Sequence, residues 1–208
     1  MNTTGGMATI PGRVIASGRA KASIAPILDT FLFRDEPIGW RMDDARKFFD
    51  LEKYDGYIFT LDDDLIYSSM YVDTMIASIE QYNRKAVITL HGGVVDPPIE
   101  SYYNGGRDPK YSCLLDQDED HRVHIPGTGV MAYHTDTIRF SMHDFPEQNM
   151  ADIQAGIKCN ELGVPVVCIA HRHGIVRHIE TPSTIYDDYK DRDEVQTRLV
   201  NDTVWRKI

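Results

Sequence analysis

The sequence predicts one α/β domain: a mostly parallel central sheet flanked by helices. Two observations predict it. Short apolar, β-branched runs end abruptly in chemically active residues, and these runs alternate with segments whose apolar residues recur at helical spacing. A strand covered on both faces loses its polar alternation, which is the pattern of a buried parallel sheet. No repeat or low-complexity segment interrupts the order, and 208 residues are enough for one sizeable core.

Taken in order, residues 1–6 read as a loose end and residues 7–10 as a first strand, broken by Pro11-Gly12 and followed by Arg13. Residues 14–28 carry Val14, Ile15, Ala20, Ile24, Ile27 and Leu28 at helical spacing, and Pro26 ends or bends that helix. Residues 30–33 form a second strand candidate, so the chain opens as a βαβ unit. Residues 34–42 are polar, with Pro37 and Gly39, and read as a loop. Residues 43–49 read as a helix with acids at its start.

The most informative stretch is residues 56–67. An aromatic and β-branched run delivers Asp62, Asp63 and Asp64 at its end, with Leu61 and Leu65 on either side. Side chains alternate along a strand, which sends Asp62 and Asp64 to one side and Asp63 to the other. Three adjacent carboxylates at the edge of a core repel one another, and a divalent cation with a preference for oxygen ligands relieves that repulsion. Ligands of open α/β sheets bind beyond the carboxyl ends of such strands.

Ser68 or Ser69 is placed to cap a helix over residues 70–82, with Val72, Met75, Ile76 and Ile79 on one face. Residues 85–90 are the next strand, leaving through His91-Gly92-Gly93. Residues 96–122 form a long connection with two glycines, several tyrosines and a run of acids from Asp116 to Asp120, the pattern of a functional loop or lid. Residues 130–134 are a strand, 150–162 a helix stopped by Gly163, and 164–170 the last clear strand, running into His171-Arg172-His173-Gly174. The tail, from about 184 to 208, reads as helical.

The net charge of −10 argues against a nucleic-acid backbone or an anionic membrane as the main partner. No apolar run reaches the ~18 residues of a membrane span. Cys113, Cys159 and Cys168 form neither a close metal-ligand pair nor an even disulfide set, and the expectation is a reducing, cytoplasmic setting. The ends of several predicted strands bring together Thr9 with Arg13, the acids at 62–64, His91, and His171 with His173. That set suits a cation holding a diphosphate, with Asp64 as the first ligand and an imidazole as another; Mn²⁺ accepts nitrogen more readily than Mg²⁺.

At these residues the chain resembles the nucleotide-sugar-dependent glycosyltransferases of the GT-A fold. Residues 8–13 resemble their opening strand and nucleotide loop, Asp44-Ala45-Arg46-Lys47-Phe48 a G-D-A-G-K-F-like segment of one bacterial and viral branch, and Asp62-Asp63-Asp64 the DxD motif. Ala151-Asp152-Ile153 and Ala170-His171-Arg172-His173-Gly174 resemble that branch's acceptor-side acid and histidine loop. The resemblance spans about residues 7–176 and departs from the branch at Met42-Asp43, Arg46 and Ser68-Ser69. It implies a single Rossmann-like domain over 1–208, hexosyl or deoxyhexosyl transfer from a UDP-sugar to a carbohydrate acceptor, Mn²⁺ or Mg²⁺ as cofactor, and further domains in a longer chain. By the same resemblance Thr9, Arg13, Asp44 and Lys47 hold the uridine and its phosphates. Asp62 reaches the ribose, with Asp63 in the same nucleotide-binding set. Asp64 binds the metal with His171, and Asp152 acts as general base if the sugar inverts. Gly127-Thr128-Gly129 reads as a close backbone approach to sugar or acceptor, or as a plain turn. Two other classes also place acids at a strand end: a haloacid-dehalogenase-type phosphatase, with the first Asp as nucleophile, and a non-catalytic nucleotide-sugar-binding module.

Overall fold

The computed structural model describes residues 14–17, 43–49, 51–179 and 188–208. Its centre is a six-stranded sheet of β1 (Val14–Ser17), β2 (Tyr57–Leu61), β4 (Val87–Thr89), β7 (His121–Val123), β9 (Val130–His134) and β10 (Val166–Cys168), in the order β1-β2-β9-β4-β10-β7. Two small sheets sit at its end. One pairs β3 (Leu65–Tyr67) with β11 (Val176–His178); the other joins β5 (Gly92–Gly93), β6 (Lys110–Tyr111) and β8 (Ile125–Pro126).

The expected mostly parallel sheet is corrected. β1 runs parallel to β2 and β4 to β10, but β9 lies antiparallel between β2 and β4, and β7 antiparallel against β10. The reason is physical. Every residue of β2 and of β9 is buried, so both strands read as unbroken apolar runs whichever way they point. Loss of polar alternation reports coverage of both faces and carries no strand direction.

Both faces are indeed covered. Tyr57, Phe59 and Leu61 of β2, Val130 and Ala132 of β9 and Ile88 of β4 pack with Tyr71, Met75 and Ile79 of α1 (Tyr71–Gln81). The alternate residues Ile58, Met131, Tyr133 and Val87 pack on the other face, with Ala151, Ala155 and Cys159 of α2 (Ala151–Leu162) and with Phe48 of the 3₁₀ helix Asp43–Phe48. The period of two along each strand therefore sorts side chains between two apolar layers. Each large side chain so buried contributes about 1.5–3 kcal/mol.

Several expected elements change. Residues 14–17 are strand β1 where a helix over 14–28 is expected; the rest of that helix and the strands at 7–10 and 30–33 lie outside the described residues. Neither Ser68 nor Ser69 caps α1 through its hydroxyl. Met70 is the cap residue without a side-chain bond, and the Tyr71 N–H donates to the Ser68 carbonyl at 3.1 Å. The 96–122 connection holds β6 and the start of β7. α2 stops as expected at Gly163, whose φ of 68° suits a residue without Cβ. In the tail, α3 (Glu194–Asn201) packs Val200 against Tyr102, Ile125 and Ile153. The three cysteines are buried and unpaired, and burial pushes the Cys113 thiol up to about 11. Among the described residues no helix is long and apolar enough to cross a membrane.

Candidate functional site

β2 ends at Leu61, and Asp62, Asp63 and Asp64 form the turn into β3 rather than more strand. The simple alternation expected of the three carboxylates therefore stops at Asp62. Continuing the period of β2, Asp62 leaves on the side of Thr60, toward α2. Its backbone N–H donates to the Tyr67 hydroxyl at 2.8 Å, and that hydroxyl donates to the Gly129 carbonyl at 2.6 Å. One buried phenol thus ties the acidic turn to the 127–129 loop.

The Asp62 carboxylate accepts from Lys47 Nζ, and the same ammonium lies 3.4 Å from the Thr128 hydroxyl. Lys47 is buried. Burial alone lowers the pKa of an ammonium, but the charge of Asp62, its hydrogen bond, and the charges of Asp44 and Asp152 outweigh it and hold the group above its ordinary value. Asp152, in the first turn of α2, accepts through Oδ1 from the Thr128 N–H at 2.7 Å and the Thr128 hydroxyl at 2.6 Å. Asp44 Oδ2 accepts from the Ala151 N–H at 2.9 Å, supplying from a distant segment the cap that Met150 does not make. Burial pushes the Asp44 carboxyl up to about 6, against the pull of Lys47. The structure therefore brings Asp44, Lys47, Asp62 and Asp152 together. Thr9 and Arg13 lie outside the described residues, and Asp63 is exposed.

The glycines of the 127–129 loop leave room for side chains of this chain itself. A Cβ on Gly129 would stand 1.9 Å from Asp62 Oδ2, and one on Gly127 would stand 2.8 Å from the Cβ of His91. The close approach expected for a sugar is, in the structure, the approach of Asp62 and of His91. Burial lowers the His91 pKa, while Asp152 opposes and Arg107 adds to that lowering.

Asp64 faces a different neighbour. Its carbonyl accepts from the Ile179 N–H at 2.7 Å, and its Oδ2 lies 3.5 Å from Nε2 of His178. Partial burial and then the charge of Asp62 raise its pKa, and His178 opposes them. His171, the partner implied by the resemblance, is buried just past the end of β10. Its Nδ1 lies 2.7 Å from the Ile169 carbonyl, and its Nε2 has no hydrogen-bond partner. His173 is exposed and contacts Asp116 at 3.0 Å. The acidic run of the long loop is spent here: Asp116 binds His173, Asp118 binds Arg172, and Asp120 accepts from the Ala170 N–H. Among the described residues no three His, Cys, Asp or Glu side chains converge into a metal cage. The Asp64–His178 pair offers one oxygen and one nitrogen donor, types that a divalent cation can take as ligands.

Local spacing gives no sign of the Tyr67 hydroxyl as a tie, of Thr128 as a side-chain anchor, or of His178 beside Asp64. Tyr67 sits five residues beyond Asp62 inside an apolar run, where a phenol reads as core, and only the fold reveals what its hydroxyl joins.

No protein-family model matches the chain, and no curated protein matches it. Among solved structures, the chain has a weak likeness to A197 from STIV, with a TM-score of 0.32 and 11% identity over 59% of this chain and 64% of that one. The match thus spans a little under two thirds of that protein.

Proposed function

We propose that the chain is a metal-dependent glycosyltransferase that moves a sugar from a UDP-sugar to a hydroxyl of a carbohydrate acceptor. The observation that carries this reading is the meeting of Lys47, Asp62 and Asp152 around Thr128, one turn of chain away from the partly buried carboxylate of Asp64. The mixed sheet covered by helices on both faces is compatible with the GT-A architecture that the sequence resemblance implies.

On the donor side, Lys47 holds Asp62 in place, and Asp62 and Asp44 offer carboxylate oxygens to a nucleoside. Asp64 and His178 would hold Mn²⁺ or Mg²⁺, which when bound supplies positive charge to a leaving diphosphate. His171, the ligand implied by the resemblance, has its ring oriented by a backbone carbonyl but is not set against Asp64 as His178 is. On the acceptor side, Thr128 holds Oδ1 of Asp152, which leaves Oδ2 to receive the proton of an acceptor hydroxyl.

Thermal unfolding with UDP and Mn²⁺ tests the assignment. The expected result is a rise in Tm that needs both ligands and is absent from the Asp64→Ala variant, whose fold by circular dichroism stays that of the parent. Turnover of a simple aryl phosphate with no response to UDP would replace the transferase by a phosphatase.

A further inference from the structure

We infer that the polar cavity between the 101–104 turn and the segment before α3 is the acceptor subsite, and that it takes an uncharged saccharide; this rests on the transferase reading. The cavity measures about 440 Å³ and is lined by Ser101, Tyr103, Asn104, Lys190, Asp191 and Asp193. That volume falls within the range of small-molecule sites.

Its position is set by Tyr103. The ring lines the cavity, and its hydroxyl is pushed up to about 12, first by burial and then by the carboxylate of Asp152, with Asp44 adding to it. The ring also packs against the cluster that holds Met150 and Ile153, so the cavity borders the start of α2, which carries the group that would take the acceptor's proton. Its walls are braced. Asp193 Oδ2 accepts from the Ser101 hydroxyl and from the Tyr103 N–H, each at 2.7 Å. Behind Tyr103, the Arg107 guanidinium lies 4.3 Å over the Tyr102 ring and 5.4 Å over that of Tyr103, and the two rings meet edge to face at 5.0 Å.

The lining also fixes the chemical class. Hydroxyl, amide, ammonium and carboxylate groups supply both donors and acceptors, as saccharide hydroxyls do, and one aromatic ring offers a face to sugar C–H groups. Two carboxylates stand against one ammonium in the lining, and beyond Tyr103 the acids Asp152 and Asp44 stand with the cations Arg107 and Lys47, so the balance stays negative. Like-charge repulsion therefore disfavours a carboxylated or phosphorylated acceptor.

The test is a printed array of neutral and sialylated or uronate-bearing di- to tetrasaccharides, probed with the chain in UDP and Mn²⁺. Neutral glycans should be retained and acidic ones not. Asn104→Ala, at an exposed position that leaves the fold intact, and Tyr103→Ala should each weaken retention at least tenfold while the UDP–Mn²⁺ rise in Tm persists. Asp191→Lys should shift retention toward acidic glycans. Retention confined to acidic glycans, retention unchanged in both alanine variants, or no retention beside a normal UDP–Mn²⁺ response overturns the subsite. Loss of the UDP–Mn²⁺ response in the parent chain overturns the transferase reading instead.

Discussion

Lys47 Nζ, buried beneath the sheet end, donates to Asp62, fifteen residues later in the chain, and the two charges hold the start of the acidic turn against the 3₁₀ helix Asp43–Phe48. The partners are unequal. Only 7% of the Lys47 side chain is exposed, whereas 41% of that of Asp62 is, so water can solvate the carboxylate but not the ammonium.

That inequality predicts an asymmetric pair of variants. Asp62→Asn leaves a buried cation short of its main counter-charge and should lower stability by about 2 kcal/mol, below the ~3–5 kcal/mol of a fully buried pair because Asp62 is partly hydrated. Lys47→Met leaves a carboxylate that water reaches and should cost less. Urea midpoints of the two variants check the order; a larger loss for Lys47→Met contradicts it.

Asp44 predicts a pH dependence. Its folded pKa of about 6 lies above the ordinary 3.8, so the folded state binds the extra proton between those values. Stability from this group is full below 3.8 and is lost as pH rises through about 6, and the gap corresponds to roughly 3 kcal/mol. Asp44→Asn keeps an acceptor for the Ala151 N–H and removes the titration. The difference in unfolding free energy between parent and variant should therefore move against the parent from pH 4 to pH 7. A difference flat in pH removes Asp44 from this role.

Gly129→Ala should displace Asp62, because the added methyl would stand 1.9 Å from Oδ2 and 2.4 Å from Cγ of that side chain. The expected outcome is a folded protein whose affinity for UDP with Mn²⁺, read by titration calorimetry, falls roughly tenfold or more. Unchanged affinity would mean that Asp62 does not touch the nucleotide.

The histidines separate by readout. His178→Ala should weaken Mn²⁺ binding in the presence of UDP by more than the ~10–100-fold typical of losing an outer hydrogen-bond partner of a ligand. His171→Ala should leave Mn²⁺ affinity near the parent value and lower the unfolding free energy by about 1–2 kcal/mol, since it empties a buried position and frees the Ile169 carbonyl. The reverse pattern would return the ligand role to His171.

Much of the framework was legible in the residues. The aromatic and β-branched run at 57–61 forms β2, the helical spacing of Val72, Met75, Ile76 and Ile79 forms the buried face of α1, and Gly163 closes α2. Residues 14–17 misled because Val14 and Ile15 fit a strand as well as a helix, and only pairing with β2 decides between them. His178 carries no local signal, since it follows an ordinary valine–arginine pair, and its closeness to Asp64 exists only through the antiparallel pairing of β11 with β3.

The sequence by itself determined which segments are buried and that three carboxylates leave the sheet together, because side-chain periodicity and burial follow from residues a few positions apart. Tertiary structure alone decided the direction of β9, the meeting of Lys47 with Asp62, the capping of α2 by Asp44, and the closeness of His178 to Asp64. Each of these joins residues far apart in the chain. Their closeness comes from how whole elements pack, and no local spacing encodes it.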